Sequence, residues 1–140
     1  MEINQITGQI IDSAMKVHSA LGPGLLESAY EACLAHELRK RGLQAQSQLA
    51  LPIEYDGVQL DVGYRIDLLV EGVVIVELKA VEKINPILEA QLLSYLKLSH
   101  LQVGLLINFN VLNLKDGLKR IVHQYSGPPP RSPASSAVNS

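Results

Sequence analysis

Apolar positions recur along the chain in two rhythms, and the change of rhythm divides it. Ile3, Ile6, Ile10, Ala14, Val17 and Leu21 follow one another at steps of three and four, so they line one stripe of a helix over about residues 3–20. Gly22-Pro23-Gly24 ends it, since proline offers no N–H to a helix and glycine takes the backbone conformations that stop one. A second helix is predicted over about 25–41, with Ala29, Cys33, Leu34 and Leu38 inward. Arg39, Lys40 and Arg41 then lie at its negative C-terminal end, before Gly42. The two helices are expected to pair antiparallel.

From 44 to 80 the pattern shortens to runs of Val, Ile, Leu and Tyr broken by Asp56-Gly57, Gly63 and Glu71-Gly72, which predicts three or four strands joined by tight turns. Asn85 and Pro86 supply an N-cap and a first-turn proline for a helix over about 86–99. That helix is apolar on most sides and is expected to be buried on more than one. A strand over 103–108 follows, then, after the Asp116-Gly117 turn, an edge strand over 118–123. The predicted order is ααββββαββ. Residues 126–140 hold four of the seven prolines and few apolar side chains, so they are expected to form a disordered tail behind one domain, 1–125.

Composition narrows the class. A chain of 140 residues suits one domain able to bury about two thirds of its unfolded surface. Cys33 is the only cysteine, so no internal disulfide forms and no zinc-ligand spacing exists. Neither an export signal nor a membrane-spanning run is expected, and a reducing, cytoplasmic setting fits best. Twelve basic against 14 acidic residues give a net charge of -2, so bulk electrostatics do not hold nucleic acid here, and any such contact is local or metal-bridged.

The candidate chemistry lies in YRIDLLVEGVVIVELKA, residues 64–80, where charged groups interrupt apolar strands at a cost that something must offset. Glu77 and Lys79 are two apart on one strand and share a face. Asp67 joins them only if 67 pairs with 77, which makes 71–73 a three-residue turn. A two-residue turn at 71–72 pairs 67 with 76 and separates the carboxylates, unless a bulge intervenes. Converged, two carboxylates hold a hard cation such as Mg²⁺, and the lysine offsets charge on a phosphoryl group. The bland alternative is a buried ion pair beside a solvated Asp67.

The residues around this set carry a resemblance. Asp67 followed by Glu77-Leu78-Lys79 resembles the PD-(D/E)XK nuclease core, an α/β fold with a central mixed sheet flanked by helices. Gln91 and Tyr95, in AQLLSYLK, resemble the QxxxY motif of the RecB-like exonuclease branch. Gly24, Glu27 and Tyr30 resemble the motif that names the GxxExxY proteins, small members of the same superfamily. The likeness spans nearly all of residues 3–122; Ile66 stands where the pattern has proline. It implies that Asp67 and Glu77 ligate Mg²⁺, or Mn²⁺, with the Leu78 carbonyl and a supporting Glu27. Lys79 is then the catalytic lysine, Gln91 and Tyr95 contact the substrate backbone or brace the site, and Tyr30 contacts substrate.

Taken without the likeness, Glu27 is an ordinary acid in a helix's first turn, Tyr30 a core aromatic, and Gln91 and Tyr95 an i,i+4 contact. The four histidines lack ligand spacing, whereas Arg65 and Lys83 are candidates for contacting phosphate. The expectation is therefore a Mg²⁺-dependent nuclease acting on nucleic acid, DNA before RNA by analogy, with no membrane partner. The alternative is a catalytically silent nuclease-fold module that binds nucleic acid or protein, with helix 86–99 at a homodimer interface.

Overall fold

Helix α1 (Ile3–Leu21) buries Ile6, Ile10, Ala14 and Val17, the predicted stripe, together with Ile11, while Leu21 at its end stays exposed. Gly22, at φ +69°, takes the turn that ends the helix, and its N–H donates to the His18 carbonyl. Helix α2 (Glu27–Lys40) turns inward through Tyr30, Leu34, Ala35 and Leu38; Ala29 and Cys33, expected inside, are only half-buried. The helices pack on each other and on one face of a sheet.

The computed structural model describes residues 1–129 and, for the backbone alone, 135–138. Its sheet runs in the order β1 (Ala45–Ala50), β4 (Arg65–Val70), β5 (Val74–Lys79), β6 (Val103–Asn108), β7 (Leu118–Val122) and β8 (Ser135–Val138). β1, β4 and β5 are antiparallel neighbours, β5 and β6 are parallel, and β7 returns antiparallel to β6. The parallel pair needs a crossover, which helix α3 (Pro86–Ser99) provides on the opposite face. Both faces of the sheet are thus covered, and Val74–Leu78 of β5 are wholly buried between them. The result is the α/β fold with a mixed sheet that the likeness implied.

Three expectations are corrected. Region 44–80 holds five strands, because β2 (Ile53–Tyr55) and β3 (Val58–Leu60) form their own hairpin outside the main sheet. Each is three residues long and mostly exposed, so neither carries the alternation that marks a half-buried strand. Asp56 and Gly57 both lie at positive φ, as a two-residue hairpin turn requires. Helix α3 is not buried on several sides. Leu92, Tyr95 and Leu96 face the sheet, whereas Ile87 is 70% exposed. Gly104 leaves the space that Leu92 fills, since a Cβ there would stand 2.9 Å from a Leu92 methyl. Finally, 118–122, expected at the sheet edge, is not the edge, because Ser135–Val138 lies parallel beside it.

Of the expected tail, residues 130–134 and 139–140 lie outside the described residues. Before them, the Asn4 amide donates to the Pro128 carbonyl at 3.1 Å, and the buried Arg120 guanidinium sits 5.2 Å from the centre of the Tyr125 ring.

Candidate functional site

The β4–β5 hairpin decides whether the charges meet. Leu68 pairs with Val76, Leu69 with Ile75 and Val70 with Val74. The loop is therefore the three-residue Glu71-Gly72-Val73, with Glu71 at φ +54° and Gly72 at φ +68°. Extending this register sets Asp67 opposite Glu77, the pairing that convergence demands.

The backbone ladder stops one step before that pair, and side chains take over. The Asp67 N–H donates to Glu77 Oε2, and the Leu78 N–H donates to Asp67 Oδ2, each at 2.8 Å. Alternation in β4 also breaks here: Ile66 packs with the cluster under α3, while Leu68 and Val70 pack under α1 and α2. The strands open at Asp67 and Glu77, and the carboxylates occupy the gap.

Three further elements converge on it. Glu27, the first residue of α2, accepts from the Ala80 N–H at 3.3 Å, which ties that helix to the end of β5. Gln48 in β1 donates through Nε2 to Glu31 Oε1 at 2.6 Å and to Asp67 Oδ1 at 3.4 Å. Gln48 lies at φ +53°, a left-handed conformation unfavourable for a residue with a Cβ, where the otherwise continuous β1–β4 pairing skips one step. Buried Asn108 clamps the chain after Lys79: its amide donates to the Val81 carbonyl at 2.9 Å and accepts from the Val81 N–H at 3.1 Å. The Phe109 N–H adds a bond to the Lys79 carbonyl at 2.9 Å.

The electrostatics follow from this crowding. Burial, then the Asp67 carboxylate, pushes the Glu77 carboxyl up to about 8. Burial raises Asp67 as well, against the opposing pull of the Leu78 N–H and of Lys79. Glu31 is raised, first by burial and then by Asp67 and Glu27. Tyr95 is raised by burial and next by Glu77, which places its hydroxyl within the field of the carboxylates.

Sequence reasoning missed Glu31, Gln48 and Asn108. Glu31 alone left a local signal, standing four residues after Glu27 on the same helix face. Other expected residues lie elsewhere. Tyr30, expected to contact substrate, is instead fully buried; its ring stacks on Phe109 at 4.5 Å. Its hydroxyl donates to the Gly22 carbonyl at 2.6 Å and accepts from the Leu25 N–H at 3.1 Å. It braces the α1–α2 turn that presents Glu27, and no surface is left to touch a substrate. Arg65 is exposed and bonds to the Tyr64 carbonyl at 2.8 Å and to Asp61 at 3.5 Å. Gln91 and Tyr95 line a cavity of about 280 Å³ between α3 and the segment leading into β4.

Among the described residues, no three His, Cys, Asp or Glu side chains form a set that holds an ion unaided. The donors present are the two carboxylates of Asp67 and Glu77, one of which raises the other. That set fits Mg²⁺, a hard cation that keeps several waters and binds through one or two carboxylates, and not a zinc cage.

A family model described as the PD-(D/E)XK nuclease superfamily matches residues 4–121. No curated protein and no solved structure gave a significant match.

Proposed function

Because this chain belongs to the PD-(D/E)XK nuclease superfamily, we propose that it is a divalent-metal-dependent phosphodiesterase acting on nucleic acid, DNA before RNA, with the opened end of β4 and β5 as its active site. The observation that carries the reading is the hydrogen-bond exchange between Asp67 and the Glu77-Leu78 segment, which replaces the strand ladder with two carboxylates. The finer placement, among the GxxExxY proteins, rests on Gly24, Glu27 and Tyr30 at the start of α2.

In this reading Asp67 and Glu77 hold Mg²⁺ or Mn²⁺, with the Leu78 carbonyl beside them and Glu27 in support. The bound cation supplies Lewis-acid polarisation of a phosphoryl oxygen and activation of water. Lys79, on the same strand face as Glu77, offsets the negative charge that grows on the phosphate. Gln48 fixes the free Asp67 oxygen and Glu31, and Asn108 fixes the backbone that follows Lys79. The apolar clusters on either side of the sheet keep these charges in a medium where each interaction is stronger than in water.

The test is cleavage of single- and double-stranded DNA and RNA with Mg²⁺ or Mn²⁺ by wild type, Asp67→Ala and Lys79→Ala. Each variant is expected to lose at least about a hundredfold in rate while folding normally. Equal, metal-independent traces from all three would reject the enzyme reading and leave a nuclease-fold binding module.

A further inference from the structure

We propose that the cavity beside α3 is a subsite for one unpaired nucleobase, so that this chain takes single-stranded nucleic acid, or the single-stranded part of a longer molecule. The proposal deepens the nuclease reading and rests on it for what then happens to the strand.

Tyr64 and Tyr95 meet at one side of the cavity, 5.9 Å apart and inclined at 60°, the edge-to-face arrangement that fixes both rings. Tyr64 is nonetheless 43% exposed. Its backbone is held, the carbonyl accepting from the Leu51 N–H at 3.0 Å and from Arg65 at 2.8 Å. An exposed ring on an anchored backbone has little freedom left to lose when a second ring stacks on it. Ile87 and Leu98 give the rest of the space apolar walls, and Gln91 and Ser94 add an amide and a hydroxyl able to meet the polar edge of a base. At about 280 Å³ the cavity falls below the range that takes drug-sized ligands, which begins near roughly 300 Å³, but it admits one planar ring system.

Position ties the cavity to the proposed chemistry. Tyr95 is the shared wall, lining the cavity and packing in the cluster that includes Ile75, two residues before Glu77 on the same strand face. Tyr95 also feels the charges of Glu77 and Asp67, so a strand whose base enters the cavity runs along a wall that faces the carboxylates.

Charge selects the kind of nucleic acid. A duplex hides its bases and is held chiefly through its phosphates by clustered lysines and arginines. Here the net charge is -2, no charged residue lines the cavity, and Arg65 beside it is already bonded to Asp61. Within the cavity itself affinity comes from stacking, which an unpaired base alone offers.

The experiment measures binding of labelled oligonucleotides to Lys79→Ala, which is not expected to cut, in Mg²⁺ by fluorescence anisotropy. Single strands should bind more tightly than the duplex of the same sequence. Adding Tyr64→Leu should weaken the single strand by about 5- to 150-fold, the effect of losing one aromatic platform, whereas Tyr64→Phe should not. Removing a base from the strand position that fills the cavity should cost a similar factor with Tyr64 present and almost nothing in Tyr64→Leu. Duplex binding as tight as single-strand binding, an indifferent Tyr64→Leu, or additive losses would overturn the subsite. If Tyr64→Leu fails to fold, base removal scanned along the strand decides alone: one sensitive position supports the subsite and none overturns it. Cleavage by wild type without dependence on Tyr64 removes the subsite and leaves the nuclease. Tyr64-dependent strand binding without cleavage does the reverse.

Discussion

Raising the pH of the metal-free chain from about 5 to about 8 is expected to weaken its fold, and Glu77 is the main cause. The carboxyl is shifted from its ordinary value of 4.5 to about 8 by burial and by Asp67. Between those values the folded state keeps a proton that the unfolded chain has released. The stabilisation is therefore complete below 4.5 and disappears as pH rises through 8. Each pKa unit is worth about 1.4 kcal/mol, so the shift sets a ceiling near 5 kcal/mol. Relaxation of the folded state around the charged carboxylate discounts this to about 2–3 kcal/mol, still a large share of the roughly 5–15 kcal/mol that holds a domain together. Asp67 and Glu31, also raised, act in the same direction. Glu37 and Asp61 are lowered, Glu37 chiefly by its bond from Lys16 and Asp61 by the Gly63 N–H, so their stabilisation is lost only toward acid, outside this window. Urea unfolding in chelator at several pH values, for wild type and Glu77→Gln, isolates the effect, because glutamine still accepts from the Asp67 N–H and cannot ionise. The difference between the two should grow in the variant's favour from acid to alkaline pH. Mg²⁺ at about a hundred times its Kd should return roughly 2.7 kcal/mol to wild type at the alkaline end. Parallel profiles for wild type and variant would show that the carboxyl is not held protonated by the fold, and the electrostatic argument would fail.

Two other substitutions separate positioning from packing. Gln48→Gly removes the left-handed strain at φ +53° and should leave the fold about 1 kcal/mol more stable than Gln48→Ala does, whereas both should weaken Mg²⁺ binding by roughly 10- to 100-fold in calorimetry. A Gln48→Gly chain that binds Mg²⁺ as wild type does would remove Gln48 from the site. Tyr30→Phe keeps the stacked ring but leaves the Gly22 carbonyl without its partner, so thermal unfolding should report a loss of about 1–3 kcal/mol while cleavage by the folded protein stays near wild type. A large loss of rate without loss of stability would place Tyr30 in contact with substrate after all.

What the linear sequence determined is whatever depends on neighbours in the chain. The stripe from Ile6 to Val17 fixes α1 and its buried face, and Asn85-Pro86 fixes the start of α3, where the Asn85 side chain accepts from the Leu88 N–H at 3.2 Å. The parity of Glu77 and Lys79 is likewise local, because strand period is a short-range property, whereas the choice between a two- and a three-residue turn at 71–73 stayed open in the sequence and was made by the fold. Tertiary structure decided the rest. Gln48 reaches Asp67 across 19 residues through a positive φ that no glycine announces, and Asn108 clamps Val81 from 27 residues away at the end of an otherwise apolar strand. The cavity that Tyr64 and Tyr95 help to line exists because α3 crosses the sheet face beside the start of β4. Side chains that act by meeting in space carry no periodicity along the chain, so the sequence supplied them and the packing of the sheet assigned their work.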